Sequence, residues 1–201
     1  MLVPSYTNAL QISQEGKGIP YGGTGEIRED GDANYGFKNL KGRPDRLADI
    51  PELARDEALH DLVASLNAPE SAFGSVGCVS ALVDESEGHR VSGYVEFAFD
   101  SAEKVADAGS YFPVFFHFDR ALHVMKFDDK IHYHWELMGA TFHHTDTTGF
   151  TVSVTVNTGW YPTGPPYIIW TQIHGSHFAS SGLPSDGIRS LASIVLADPD
   201  R

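Results

Sequence analysis

The run Ile131-His-Tyr-His-Trp-Glu-Leu-Met138 sets two imidazoles and a carboxylate at alternate positions. Successive side chains of an extended chain point to opposite faces, so His132, His134 and Glu136 share one face. Ile131, Tyr133, Trp135 and Leu137 share the other and read as core. Two imidazoles at i and i+2 can converge on one ion, and with a further imidazole or carboxylate they suit zinc or iron(II). Glu136, His117 in Phe115-Phe-His-Phe118, or His174 or His177 in Ile173-His-Gly-Ser-His177 would complete the set. The bound ion would then activate water or dioxygen. Without a metal, one histidine would act as general base and Glu136 would orient it. The plain alternative is a polar strand face on which each histidine bonds a neighbouring threonine or glutamate and holds no ion.

Other strand-like runs add to this face. Thr151, Ser153, Thr155 and Asn157 alternate with Val152, Val154 and Val156, and Tyr94 and Glu96 alternate with Val95 and Phe97. If these runs adjoin the histidine strand, Tyr94 and Glu96 become ligand-binding candidates, and closure into a barrel would make the face a small-molecule pocket. Trp160 and Tyr161, in a loop stiffened by Pro162, Pro165 and Pro166, are candidate ligand or partner contacts. Nucleophilic catalysis has little support, because Ser176 lacks the Gly-x-Ser-x-Gly elbow.

Two short patterns resemble known families in part. His132-x-His134 followed by Glu136 resembles the metal-binding strand of cupin barrels, but Glu136 comes too soon and that motif's glycines and proline are missing. His144-Thr-Asp146 resembles the His-x-Asp of iron/2-oxoglutarate oxygenases, which would imply His174 or His177 as distal ligand and Arg189 as carboxylate partner. The separation is short for that fold, and neither likeness assigns a family.

The elements that must position these residues are mostly strands. Period-two runs predict strands over 73–83, 90–99, 111–118, 131–138, 140–144, 150–157 and 167–174, joined by turn-forming stretches. Short connections imply antiparallel neighbours. Leu59, Leu62, Val63 and Leu66 form one apolar stripe after Pro51 and predict a helix before the sheet. Ser185 with Ile188, Leu191, Ala192 and Val195 predicts another after it, and residues 101–109 a short helix between strands. Residues 1–44 are rich in glycine and read as a loop-rich segment. Within them, Asp30-Gly-Asp-Ala-Asn-Tyr-Gly36 departs from calcium-loop spacing and reads as an acidic turn.

The expected architecture is therefore one α+β domain over residues 1–201, mainly β. It is a curved antiparallel sheet, barrel-like or sandwich, with one helix before and one after. Acidic residues outnumber basic ones 27 to 14 for a net charge of −13, which disfavours nucleic acid and anionic membranes as partners. The single cysteine, Cys78, lies in an apolar run and reads as an inert buried thiol. With no leader-like or membrane-spanning run apparent, the expected location is cytoplasmic. The expected function is a small-molecule enzyme with a histidine-lined pocket, zinc- or iron-dependent in one form. The alternatives are a non-catalytic module binding a small molecule or a protein, or a structural protein whose sheet edge serves a homo-oligomer.

Overall fold

The computed structural model describes residues 6–27, 33–79, 82–85, 88–123 and 131–158. In chain order these form β1 (Tyr6–Ile19), β2 (Glu26–Ile27), β3 (Ala33–Asn34), α1 (Glu57–Leu66), β4 (Phe73–Val79), β5 (Leu82–Glu85), β6 (Gly88–Phe99), α2 (Ala102–Ala106), α3 (Phe112–Leu122), β7 (Ile131–Phe142) and β8 (Thr147–Thr158). The main sheet runs β1-β7-β8-β6-β4, with β5 pairing the start of β6, while β2 and β3 make a separate small ladder.

The α+β, sheet-dominated class is as expected, but the sheet is mixed and it does not close. Strand β1 pairs with β7 in parallel, and the other ladders are antiparallel. Among the described residues β1 and β4 stand at the two edges, so there is no barrel. A parallel pair requires a long crossover, and here everything from α1 to α3 lies between the two strands. The outer side of β1 is unpaired among the described residues, and Ile12 on it is 56% exposed.

Burial follows the alternation along β7. Ile131, Tyr133, Trp135 and Leu137 are buried, whereas His132 is exposed and His134 and Glu136 are half-buried. The apolar face is packed by helices. Phe118 of α3 meets Tyr133 and Trp135 at ring-centroid distances of 5.1 and 5.3 Å, and the ring contacts continue from Trp135 to Phe97 and from Phe97 to Phe73. Helix α1 starts where the Asp56 carboxylate accepts from Leu59 N–H, and it buries Leu59, Leu62, Val63 and Leu66. It ends at Asn67, whose amide donates to Val63 O and to Ser75 Oγ, tying the helix to β4.

Three expectations for elements change. Residues 111–118 are not a strand: Phe112–Leu122 is a helix with Pro113 in its first turn and Val114, Phe118 and Leu122 on its buried stripe. The expected strands 131–138 and 140–144 are one strand, β7. The loop-rich amino-terminal segment contains the longest strand, β1, although residues after Ile19 do run mainly as turns and irregular chain. The short helix expected in 101–109 is α2, capped by Ser101. The expected strand 167–174 and the helix after Ser185 lie outside the described residues.

Candidate functional site

The histidine strand sits inside the sheet, with β1 on one side and β8 on the other. In register, Thr7, His132 and Asn157 fall in one row, and Ser92 extends it on β6. Thr7 Oγ1 lies 2.8 Å from His132 Nδ1, and Ser92 Oγ donates to Asn157 Oδ1 at 2.8 Å. The next row aligns His134, Thr155 and Tyr94, and the one after aligns Gln11, Glu136, Ser153 and Glu96. The sequence-predicted residues His132, His134, Glu136, Tyr94 and Glu96 thus share one face.

One expected partner does not reach that face, and another is already engaged on it. His117 is on α3, an exposed residue of the helix that packs the opposite side of the sheet, so it cannot join His132 and His134. Glu96 is buried and accepts from Lys17 Nζ at 2.5 Å, so its charge is already neutralised within the fold. His174, Trp160 and Tyr161 lie outside the described residues. Among the described residues no three His, Cys, Asp or Glu side chains are grouped to hold a metal ion. His132, His134 and Glu136 line neither of the two cavities described below.

The larger cavity lies elsewhere, at the end of the sheet where β1, β6 and β7 finish and β4 and β8 begin. It is a half-open cleft of about 340 Å³. By alternation Phe142 is on the same face as His132, about 33 Å further along β7 at roughly 3.3 Å per residue. Ile19, Phe37, Val76, Ala98 and Phe142 make its apolar floor, and Val105 of α2 closes one side. Its polar groups are Asn39, Lys41, Arg43, Asp100, Ser101 and His144.

These polar groups differ in how committed they are. Lys41 Nζ donates to Ser71 O and to Phe73 O, the latter at 2.8 Å, and stands 3.7 Å from Asp100 Oδ2. Burial holds its pKa below the usual lysine value, against the pull of Asp100. Lys41 therefore fastens the segment after Phe37 to the start of β4. Arg43 is exposed at the rim, and its guanidinium has no hydrogen bond or ion pair among the described residues. Gly74 also lines the cleft, and a Cβ added there would meet only Asn67 Oδ1, at 4.0 Å.

A second, smaller cavity of about 50 Å³ borders the outer edge of β4, between Tyr21, Leu40, Val63, Cys78 and Tyr94. Burial pushes the Cys78 thiol up to about 12, with Glu52 and Asp56 adding to the effect, as befits an inert thiol. No helix among the described residues is long and apolar enough to cross a membrane. No protein-family model, curated protein or solved structure significantly matches this chain.

Sequence reasoning placed the strand faces but missed the cleft. Lys41 and Arg43 belong to the run Lys38-Asn-Leu-Lys-Gly-Arg-Pro-Asp-Arg46, a concentration of bases in an acidic chain, and that run was the available signal.

Proposed function

We propose that this chain binds a small organic molecule in the cleft at the end of its sheet. The observation that carries the reading is the cleft itself, a concave space of about 340 Å³ with an apolar floor and a few polar groups at its rim. Small-molecule sites have that make-up, and the volume falls at the lower end of their range of ~300–1,000 Å³. This is the binding-module alternative drawn from the sequence, relocated from the histidine strand.

The test uses a neutral, environment-sensitive dye, N-phenylnaphthylamine, titrated against the wild-type protein and a Gly74→Leu variant. Gly74 lines the cleft and a Cβ there meets nothing closer than 4.0 Å, so a leucine at this position should take up space in the cleft. Binding by the wild type and its loss in Gly74→Leu, with the far-ultraviolet circular dichroism unchanged, is the expected result. Equal binding by both proteins would remove the cleft from the site.

One observation supports a catalytic reading as well. The 2.8 Å contact between Thr7 Oγ1 and His132 Nδ1 holds the imidazole in place, and in the tautomer whose Nδ1–H donates to Thr7 its Nε2 is free to act as a general base. Glu136 and His134 flank it on the same face. A zinc or iron form of this reading needs a third ligand, for which His174 remains the sequence candidate. Metal analysis of untagged protein, with and without His132→Ala and His134→Ala, tests that form directly.

A further inference from the structure

We infer that the ligand of the end cleft is an organic anion, with an apolar body on the Ile19, Phe37, Val76 and Phe142 floor and its anionic group at Arg43. The inference rests on the cleft being a binding site, and it adds the ligand's chemical class. The first support is the local balance of charge. The chain carries −13 overall, yet among the described residues the formal charges lining the cleft are Lys41, Arg43 and Asp100, two bases against one acid. A cleft of opposite sign to its surroundings concentrates anions from solution.

The second support is the division of labour between the two cations. Lys41 is spent on Ser71 O, Phe73 O and Asp100. Those contacts also satisfy the lone acid of the lining, so Asp100 does not repel a bound anion with its full charge. Arg43 has no partner among the described residues, and Pro44 follows it directly, restricting the backbone that carries it. A guanidinium offers a planar fork of donors that matches two oxygens of one carboxylate, phosphate or sulfonate. Asn39 and Ser101, which also line the cleft, offer further donors to an anionic group.

The third support is the floor. Ile19, Phe37, Val76, Ala98 and Phe142 line the cleft, so an apolar body has an apolar surface to lie against. Inorganic phosphate or sulfate alone does not fit that make-up.

The test compares two dyes with the same aromatic body, anilinonaphthalene sulfonate and neutral N-phenylnaphthylamine, on the wild type, Arg43→Gln and Gly74→Leu. Expected is a preference for the sulfonate of about tenfold at low salt, an advantage that shrinks as salt is added. Arg43→Gln should erase the preference by weakening the sulfonate alone, and Gly74→Leu should weaken both dyes. Equal affinity for the two dyes in the wild type, or an intact preference in Arg43→Gln, would overturn the anion assignment while leaving the cleft as a site. Failure of Gly74→Leu to weaken either dye would overturn the cleft reading and this inference with it.

Discussion

Lys17 and Glu96 form an ion pair, Nζ to Oε2 2.5 Å, although β7 and β8 stand between their strands. In register Lys17 lies beside Ala140 and Glu96 beside Ser153, so the two side chains must reach across the face over the intervening rows that hold Met138 and Thr151. Thr151 is fully buried on this face, and Glu96 is buried with it. The pair therefore separates the histidine end of this face from the cleft end.

Removing only the cation strands a carboxylate whose side chain is 6% exposed. Breaking a buried pair costs ~3–5 kcal/mol, and the 29% exposure of Lys17 places this case lower, at about 2 kcal/mol. Lys17→Met should lower stability in urea by that amount. Lys17→Met combined with Glu96→Leu should recover most of it, because no buried charge remains. A double variant no better than the single one would show that the pair matters through packing.

Tyr111 and Tyr133 are both buried, but their hydroxyls differ in kind. Tyr111 OH accepts from Phe99 N–H at 3.2 Å and donates to Phe150 O at 2.5 Å, whereas Tyr133 OH has no partner among the described residues. Tyr111→Phe leaves two backbone groups unsatisfied and should cost roughly 1–3 kcal/mol. Tyr133→Phe removes an unpaired buried polar atom and should be neutral or stabilising by up to ~1 kcal/mol. Thermal or urea unfolding of the two variants side by side would read the difference, and equal losses would contradict it.

Gly149 sits where α2 crosses β8, and a Cβ there would run into the Val105 carbonyl and the next peptide group. Backbone cannot swing aside as a side chain can, so Gly149→Ala must push α2 away from the sheet. The expected cost is about 1–3 kcal/mol, in the range of overpacking. Because Val105 lines the cleft, dye binding should weaken in the same variant even below its unfolding range.

Local pattern carried some of this fold and not the rest. The Leu59, Leu62, Val63 and Leu66 stripe and the alternation through Tyr133 and Trp135 are short-range signals, and both faces came out as read. Phe115, Phe118 and their neighbours satisfy a period of two and of nearly four at once, and Pro113 with the Val114, Phe118 and Leu122 stripe settles the helix. Strand β1 was obscured by Gly16 and Gly18, and its parallel pairing joins residues over a hundred positions apart, for instance Thr7 with His132. The cleft draws on chain near Ile19, Lys41, Gly74, Ala98, Val105 and Phe142, so no single stretch announces it.

Cys78 should be silent toward thiol reagents in the native state. Burial raises its pKa to about 12, so at neutral pH almost no thiolate exists to react. Cys78 is half-buried, so labelling by an aromatic disulfide reagent should be slow at neutral pH for want of thiolate and should quicken as pH rises toward about 12. Rapid stoichiometric labelling of folded protein would contradict this and would point to local opening around β4.

Alkali should unfold the protein through its buried phenols. Burial raises the pKa of Tyr111 and Tyr133 above the ordinary value of about 10, so the folded state holds these protons more tightly than the unfolded one. For raised values, the contribution to stability is complete below the unfolded pKa and is lost as pH climbs from there toward the folded value. Lys41, whose pKa is lowered, acts in the opposite sense near the same pH, so a single pH profile mixes the two. Comparing wild type with Tyr133→Phe isolates one phenol. The wild type should lose stability relative to the variant by ~1.4 kcal/mol per pH unit above about pH 10, and by nothing below it. A gap between the two proteins that stays constant from pH 8 to pH 11 would show that Tyr133 ionises without first being exposed.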